Sequence, residues 1–177
     1  MPQSLIRAAT SDDLPAITAI YNQVIASSTA VYSDDPVTVE DRAAWLAGRL
    51  AQGYPVLVAQ VDGAVGGFST FGNFRAWPGY RFTVEHSVHV RQDLRGRGLG
   101  APLVQALFPL AAGLGKHMMV AGVDAGNAGS IRFHERLGFE RVGCFREVGF
   151  KFGRWLDLVF LQRRLGEGGA GADDELV

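Results

Sequence analysis

Hydrophobic residues recur at helical spacing in two segments near the start of the chain, after a short strand predicted over residues 5–8. The apolar stripe of the first segment consists of Leu14, Ile17, Tyr21, Val24 and Ile25. The positions expected to face inward in the second segment are Trp45, Leu46 and Leu50, with Gly53 ending the helix. Each segment begins with a threonine followed three residues later by an aspartate, at residues 10 and 13 and at residues 38 and 41. This is capping-box spacing, so the pattern predicts two amphipathic helices.

Alternation of apolar and polar residues, which is typical of strands, begins after the second helix. Residues 55–74 are predicted to form a hairpin around an Asp62-Gly63 turn, and the pair Gly66-Gly67 indicates a bulge or a close backbone neighbour. The strand predicted over residues 81–90 has two distinct faces, one with Phe82, Val84, His86, Val88 and Val90 and the other with Thr83, Glu85, Ser87 and His89.

The second half of the chain alternates between helices and strands. A glycine-rich loop precedes a helix whose apolar positions are Leu99, Leu103, Leu107 and Leu110. A strand over residues 117–124 leads to a helix that starts at Asn127 and stops at Gly138, and strands over residues 140–153 and 154–165 follow. The resulting order β-α-α-β-β-β-α-β-α-β-β predicts an α/β protein, with a mixed sheet and helices on both faces.

Neither a repeat nor a linker interrupts this pattern, so residues 1–165 are predicted to form one domain. The glycine-rich and acidic segment 166–177 has too little apolar surface to order itself and is expected to be disordered. The chain of 177 residues is 47% hydrophobic and 20% charged, with a formal net charge of −1. That charge provides no field that would attract nucleic acid. Cys144 is the single cysteine, and we find neither a signal peptide nor a membrane-spanning apolar run, so a cytoplasmic protein is expected.

The loop in "VHVRQDLRGRGLGAPLVQAL" connects a strand to a helix and is the strongest candidate for a binding site. A nucleotide P-loop requires Lys-Ser or Lys-Thr after its last glycine, and Ala101-Pro102 excludes it. A dinucleotide site is an alternative, because Gly96, Gly98 and Ala101 satisfy a loose G-x-G-x-x-A pattern and Asp124 ends the next strand. Against it, residues 91–95 separate this pattern from its strand.

A third interpretation is that the loop binds the pyrophosphate of coenzyme A. Main-chain N–H groups from Gly96 to Gly100 would converge on the anion at the positive end of the following helix, and Arg95 and Arg97 would add charge. The structural alternative is a surface turn with solvated arginines. The strand–loop–helix context favours the binding site.

Two sequence signatures resemble those of the GNAT superfamily of acetyl-CoA-dependent N-acetyltransferases. The first is the Arg-x-x-Gly-x-Gly loop at Arg95, Gly98 and Gly100, and the second is the helix signature at Asn127, Ser130, Glu135, Gly138 and Phe139. Within that superfamily, "ASSTAVYSDDP", "RAWPGYR", "YRFTVEHSVHV" and "GFKFGRWLDLVFLQR" resemble the phosphinothricin and methionine sulfone or sulfoximine acetyltransferases. The similarity extends from about residue 5 to residue 165.

The resemblance implies a mainly antiparallel sheet in which one parallel strand pair splays apart to form the cofactor cleft. It also implies acetyl-CoA as co-substrate, a small amino acid analogue as acceptor, and a homodimer. The residues that it assigns to acetyl-CoA are Val88, His89, Val90, Arg95, Gly96, Arg97, Gly98, Leu99, Gly100, Ala101, Asn127 and Ser130. One main-chain N–H of Val88, His89 or Val90 would face the thioester oxygen. The ordinary role of Asn127 is a helix cap, and the two roles are compatible.

Two side chains are candidates for proton transfer. Amide formation needs a neutral amine, and Glu85 is the candidate base, although it could instead be a strand glutamate paired with Arg75 or Arg81. His134 occupies the position where many GNAT enzymes have a tyrosine, so it is either a general acid for the leaving thiolate or a packing residue. The residues expected to contact the acceptor are Arg75, Trp77, Tyr80, Arg81, Glu85, His86 and Ser87.

We expect no metal, because the histidines at positions 86, 89 and 117 show no ligand spacing supported by other ligands. Two other functions remain open from the sequence. One is a non-catalytic acyl-CoA sensor that keeps the loop but has lost the chemistry, which the presence of Glu85 disfavours. The other is a dinucleotide-dependent oxidoreductase.

Overall fold

The computed structural model describes residues 4–166, so the predicted disorder of the tail falls on residues 167–177, which lie outside the described part. The strands are β1 (Ser4–Ala8), β2 (Val56–Val61), β3 (Ala64–Asn73), β4 (Thr83–Val90), β5 (Met118–Asp124), β6 (Glu140–Lys151) and β7 (Arg154–Arg164). The helices are α1 (Leu14–Ser27), α2 (Val39–Ala51), α3 (Gly100–Gln105), α4 (Leu107–Gly113) and α5 (Ala128–Arg136). Within residues 4–166, every helix is too short or too polar to cross a membrane.

The seven strands form a single sheet in the order β1-β2-β3-β4-β5-β7-β6. Every neighbouring pair is antiparallel except β4 and β5, which are parallel. Their parallel pairing covers only Thr83 to Glu85 on β4 and Met118 to Val120 on β5. Beyond that point β4 pairs only with β3, and β5 pairs only with β7. The mixed, mainly antiparallel α/β sheet with a splayed parallel pair is therefore confirmed.

Helices cover both faces of the sheet, as the sequence predicts. On one face, α3 and α4 contribute Leu103, Val104 and Leu107 to the largest core cluster, against Phe71, Val84 and Met119 of the sheet. On the other face, α1 and α2 pack on smaller clusters that contain Ile17, Ile20, Val58, Phe68, Leu46 and Val56. The alternation within β2 and β4 thus separates two cores, because successive side chains of a strand point to opposite faces.

Both predicted features of the β2–β3 hairpin are present. Asp62 and Gly63 have positive φ angles of 49° and 82°, as the turn of a two-residue hairpin requires. The register shifts so that Ala59 pairs with Gly67 and Gln60 with Val65, which leaves Gly66 unpaired as a bulge. A Cβ on Gly67 would lie 2.8 Å from the carbonyl oxygen of His89, so the backbone of β4 also approaches closely here.

Two helix predictions are wrong. Leu50 is 56% exposed and Leu110 is 43% exposed, and both contribute to one shallow apolar surface instead of the core. The single helix predicted after the glycine loop is two short helices, α3 and α4. Pro109 has no N–H to donate to the carbonyl of Gln105, which accounts for the break and turns Leu110 outward. Phe82, which lies just before β4, is 49% exposed.

Candidate active site

The glycine loop is anchored in the core by its flanking leucines, and residues 95–98 are exposed. Leu94 and Leu99 are buried against Val61, which fixes both ends of the loop. Gly96 and Gly98 have φ angles of +74° and +84°, a left-handed conformation that glycine adopts without strain. Within the described chain their N–H groups donate to no main-chain carbonyl. The loop therefore presents free donors at the surface, as an anion site needs.

The other predicted loop residues contribute in different ways. Arg95 and Arg97 are exposed, and Nε of Arg95 donates to the carbonyl oxygen of Val90 at 3.2 Å. The side chains of Leu99 and Ala101 pack into the core, so only their main chains are available to a ligand. Gly100 begins α3 in contact with Phe133 of α5, since a Cβ there would lie 3.3 Å from the Phe133 ring.

A cleft opens where β4 and β5 diverge. Its lining consists of Ala30, His86, Ser87, Val88, His89, Ala121, Gly122, Val123, Asp124, Asn127, Ser130 and His134. One edge of β4 faces this gap without a partner strand, because the parallel pairing ends at Glu85. Of the predicted cofactor and proton-transfer residues, the lining contains Val88, His89, Asn127, Ser130 and His134. Glu85, the glycine-loop residues 95–101 and Val90 lie outside it, and Val90 packs beside the buried loop leucines.

Asn127 begins α5 at the rim of this cleft. Its Oδ1 accepts a hydrogen bond from the N–H of Ser130 at 3.0 Å, which is the capping role expected of an asparagine here. The side-chain NH₂ group of Asn127 has no partner within residues 4–166 and remains available to a ligand.

Glu85 is half-buried beside β5, where a Cβ on Gly122 would lie 3.0 Å from its Oε1. Burial raises the pKa of its carboxyl group above the ordinary value, and the positive charge of Arg75 only partly opposes this. The salt-bridge alternative is not supported within the described residues. Arg75 donates to the carbonyl of Phe74, and Arg81 donates to that of Pro78.

His86 and His134 form a buried hydrogen-bonded pair, with their Nε2 atoms 3.1 Å apart. Nδ1 of His134 lies 2.7 Å from the carbonyl oxygen of Ser130, and that oxygen can only accept. His134 therefore carries its proton on Nδ1, and its Nε2 accepts from Nε2–H of His86. Nδ1 of His86 is left buried and without a partner within the described chain.

Both histidines of this pair are neutral at physiological pH. Burial is the main cause that lowers the pKa of His86 to about 3, with the nearby His134 and His89 adding to the effect. Burial also lowers the pKa of His134, against a smaller opposing effect of its bond to Ser130. Since the one proton of His134 points to Ser130, this side chain cannot donate directly to a group in the cleft.

The predicted acceptor loop lies on the surface and contributes no residue to the cleft lining. Trp77 is 76% exposed and Tyr80 is 44% exposed. The loop reaches the site through Phe74, whose ring packs against Tyr80 and against Phe160 of β7. Phe160 pairs with Gly122, the neighbour of Glu85, so an aromatic wall adjoins the candidate base. Sequence analysis missed Phe74 and Phe160 because both read as ordinary strand residues.

Asp124 does not serve the dinucleotide interpretation. It is buried at the end of β5, where its carboxylate accepts hydrogen bonds from the hydroxyl of Thr29 and from the N–H of Gly126. Both carboxylate oxygens of Asp124 therefore already have hydrogen-bond partners within the protein. Within residues 4–166 there is also no cluster of three or more side chains of the kinds that bind metals.

Comparisons with known proteins agree with this geometry. The model of the acetyltransferase (GNAT) domain family matches residues 6–160. An L-methionine sulfoximine/L-methionine sulfone acetyltransferase of Pseudomonas paraeruginosa is 51% identical over 161 residues, which cover 90% of this chain and 94% of that protein. An acetyltransferase structure from Salmonella typhimurium with acetyl-CoA is 46% identical, with a TM-score of 0.91 over 94% of this chain and 96% of that one. A phosphinothricin acetyltransferase from Sinorhizobium meliloti in complex with acetyl-CoA is 37% identical, with a TM-score of 0.91 over 97% and 94% of the two chains.

Proposed function

Since this chain belongs to the acetyltransferase (GNAT) domain family and is an N-acetyltransferase that uses acetyl-CoA, we propose that its acceptor is the α-amine of a small amino acid analogue. The analogues concerned are methionine sulfone, methionine sulfoximine and phosphinothricin, which relatives of this chain are named for. The observation that carries the proposal is Glu85, a carboxylate with a raised pKa at the point where the parallel strands part.

The groups that would hold acetyl-CoA are distributed along the cleft. The free N–H groups of Gly96 and Gly98, with the charges of Arg95 and Arg97, suit its pyrophosphate. The unpaired edge of β4 around Val88 and His89 suits the amide groups of its pantetheine arm, and the free NH₂ of Asn127 suits a carbonyl. A main-chain N–H on this edge would stabilise the negative charge that develops on the thioester oxygen.

Glu85 would accept the proton that the acceptor amine must lose. An α-amine is largely protonated near neutral pH, because its pKa is about 7.7–8. A carboxylate whose pKa is raised by burial is a stronger base than an exposed one. The assignment of the base is the same whether the proton is transferred directly or through one water.

We do not assign direct proton donation to His134. Both of its ring nitrogens are engaged, one by Ser130 and the other by His86. A proton reaching the leaving thiolate from this pair would have to pass through His86. Because a thiolate is weakly basic, the reaction has little need of such an acid.

The acceptor side of the site combines an aromatic wall with a positive charge. Phe74, Phe160 and Tyr80 supply the wall, and Arg75 lies close enough to Glu85 to affect its pKa. A guanidinium group beside the base suits the α-carboxylate of an amino acid. Trp77 and Arg81 are exposed on the same loop, where they could close over an acceptor, and His86 and Ser87 line the cleft below.

We propose that the protein is cytoplasmic and forms a homodimer, and the apolar edge of the sheet supports the homodimer. Strand β6 is an edge strand, and its neighbourhood exposes Val142, Phe145, Val148, Phe150 and Trp155. Apolar patches of this kind usually mark interaction surfaces. A second copy of the chain would cover the patch near the aromatic wall, because Phe145 contacts Phe160.

The test is a competition assay with methionine sulfone, methionine and spermidine at equal concentration, with thiol release from acetyl-CoA as the readout. We expect the sulfone to have a kcat/KM clearly above that of methionine, because a site that hydrogen-bonds an oxo group leaves donors unpaired without it. Spermidine should be a poor acceptor, since the acceptor loop has no acidic cluster. Preference for spermidine, or equal use of methionine and its sulfone, would overturn the acceptor assignment. No thiol release with any amine would favour a non-catalytic sensor.

A further inference from the structure

Lys151, at the end of β6, is a buried lysine whose ammonium group is fully used. The residue is 1% exposed. Its Nζ donates to the carbonyl oxygens of Ile25 at 2.6 Å, Ser28 at 2.8 Å and Val31 at 2.7 Å. An ammonium group has three donors, so each one has a partner. The bonds connect β6 to a segment more than a hundred residues earlier in the chain.

Two of these carbonyls belong to the end of helix α1. The last carbonyls of a helix lack partners within the helix and carry partial negative charge, which a cation stabilises. Ile25 is in the last turn of α1, and Ser28 is its C-cap. Lys151 therefore caps the C-terminus of α1 with a side chain from another element. Its third hydrogen bond, to the carbonyl of Val31, holds the chain that follows α1 against β6.

The segment after α1, residues 28–32, which we call the clamp segment, reaches the cleft. We call the part of the cleft beside Gly122, the neighbour of Glu85, its acceptor end. The hydroxyl of Thr29 donates to Asp124, and Ala30 lines the cleft with Gly122 and Asp124. The next contact is again with β6, because a Cβ on Gly149 would collide with the ring of Tyr32. The clamp segment is thus fastened at three points, and its middle residue lines the cleft together with Gly122, the neighbour of Glu85.

We propose that Lys151 is a positioning residue for the acceptor, which holds the clamp segment against the end of β5 so that the amine is directed to Glu85. This inference rests on the proposed function, because it concerns the same site. Lys151 itself does not line the cleft, so its effect passes through Thr29 and Ala30.

Ala30 lines the same cleft as Asn127 and Ser130, so this effect is distinguished from cofactor binding by hydrogen bonding. The glycine loop, Asn127 and the free edge of β4 make no hydrogen bond to Lys151 or to the clamp segment within the described residues. Losing the lysine leaves three carbonyls without their donor and frees the clamp segment to move. The acceptor end of the cleft should widen while the acetyl-CoA end stays intact.

The test compares Lys151→Met with Arg154→Met. Methionine keeps an unbranched apolar side chain of similar length and removes all three donors. Arg154 pairs with Lys151 in the same hairpin but is exposed, so its replacement removes the same charge without touching the clamp segment. We expect Lys151→Met to raise the KM for methionine sulfone by about tenfold or more, since small misplacements of a substrate are costly. The dissociation constant of acetyl-CoA should stay unchanged, and Arg154→Met should behave as the parent.

Hydrogen–deuterium exchange gives a second readout that does not depend on activity. Amides of residues 28–32 should exchange faster in Lys151→Met and at the parental rate in Arg154→Met. A Lys151→Met protein with parental KM for the sulfone and parental exchange would overturn the proposal. So would an equal loss of acetyl-CoA affinity, because the lysine would then support the whole fold.

Thr29→Val keeps the proposal testable if Lys151→Met does not fold. This variant keeps the shape of the side chain and removes only the bond to Asp124, so it should raise the sulfone KM without affecting acetyl-CoA binding. A parental KM in Thr29→Val would count against the proposal. If the parent fails to acetylate the sulfone, the proposed acceptor is wrong, whereas faster exchange of the clamp segment in Lys151→Met would still support the anchoring role.

Discussion

At the scale of single residues, burial makes Glu85 a stronger base by raising its pKa. Glu85 is placed between the diverging strands, where the backbone of Gly122 leaves room for its carboxylate. Desolvation disfavours the charged form, so the pKa of Glu85 is raised although Arg75 opposes the shift. A base whose pKa is closer to that of the amine removes a proton more effectively.

Glu85→Gln should lower turnover by about 10²–10⁴-fold, the usual cost of losing a general base. The acetyl-CoA dissociation constant should change little, because the glycine loop is separate. In the parent, kcat/KM should fall on the acid side through a pKa above the ordinary value for glutamate, because protonation of Glu85 removes the base. The variant should lose this limb. Assays of kcat/KM from pH 5 to 9 measure this limb, and Glu140→Gln, at an exposed glutamate, is the control. Parental turnover in Glu85→Gln at neutral pH would assign Glu85 a structural role.

The glycine loop permits a second residue-scale prediction. Acetyl-CoA should raise the melting temperature, since a ligand that binds only the folded state stabilises it. Gly98→Asp should abolish this shift, because it adds a negative charge beside the free N–H donors. Gly115→Asp is the matched control, since Gly115 also has positive φ and open space around it but lies outside the loop. Equal shifts in the two variants, measured by thermal denaturation, would refute the loop assignment.

At the scale of elements, strand β4 has both faces covered although five of its eight residues are polar. His86 contacts α5 on one face, and His89 packs between Tyr21 of α1 and Phe68 of β3 on the other. Burial is the largest cause that lowers the pKa of His89 to about 4, and the charges of Arg42 and Arg95 add to it. The aromatic contacts of His86 and His89 thus hold β4 in place beyond Glu85, where its pairing with β5 has ended.

This packing predicts how stability depends on pH. Between pH 6.5 and about 4 the unfolded chain binds a proton at His89 and the folded chain does not. The free energy of unfolding should therefore decrease as pH falls through this window. His89→Phe keeps the aromatic packing and should reduce the slope by up to about 1.4 kcal/mol per pH unit. Urea denaturation of both proteins at several pH values measures the difference, and identical slopes would contradict it.

At the scale of the whole molecule, the two edges of the sheet differ in length and in exposed apolar surface. Strand β1 at one edge is short, whereas β6 at the other edge carries several exposed apolar side chains. Among these, Phe150 and Trp155 pack on each other with ring centroids 5.0 Å apart. An unpaired and apolar edge favours association with another chain.

We therefore expect the protein to sediment as a dimer of the 19.0 kDa chain. Phe150→Asp should shift it to a monomer, because a charge in an apolar interface is costly to desolvate. Leu110→Asp is the control, since Leu110 is an exposed apolar residue on α4, away from β6. Analytical ultracentrifugation separates the outcomes. A monomeric parent, or a Phe150→Asp protein that remains dimeric, would refute this interface.

The sequence by itself determined the features that depend on neighbouring residues. The Thr38 cap of α2, the one-turn 3₁₀ helix that Thr10 begins just before α1, the Asp62-Gly63 turn, the glycine loop and the cap at Asn127 all follow from short spacings. Helix caps and tight turns involve residues two to four positions apart, so their physics is local. The order of glycine loop and second signature also indicated the family before any contact was known.

Only the tertiary structure decided which distant residues meet. Strand order and the early end of the β4–β5 pairing open the cleft, and no spacing along the chain reports where pairing stops. The His86–His134 bond spans 48 residues and the Lys151–Ile25 bond spans 126. Likewise Leu50 fits a helical stripe, yet it faces solvent because no element packs over it. Periodicity states which side of an element is apolar, whereas burial, and with it each shifted pKa, depends on what the completed fold places opposite.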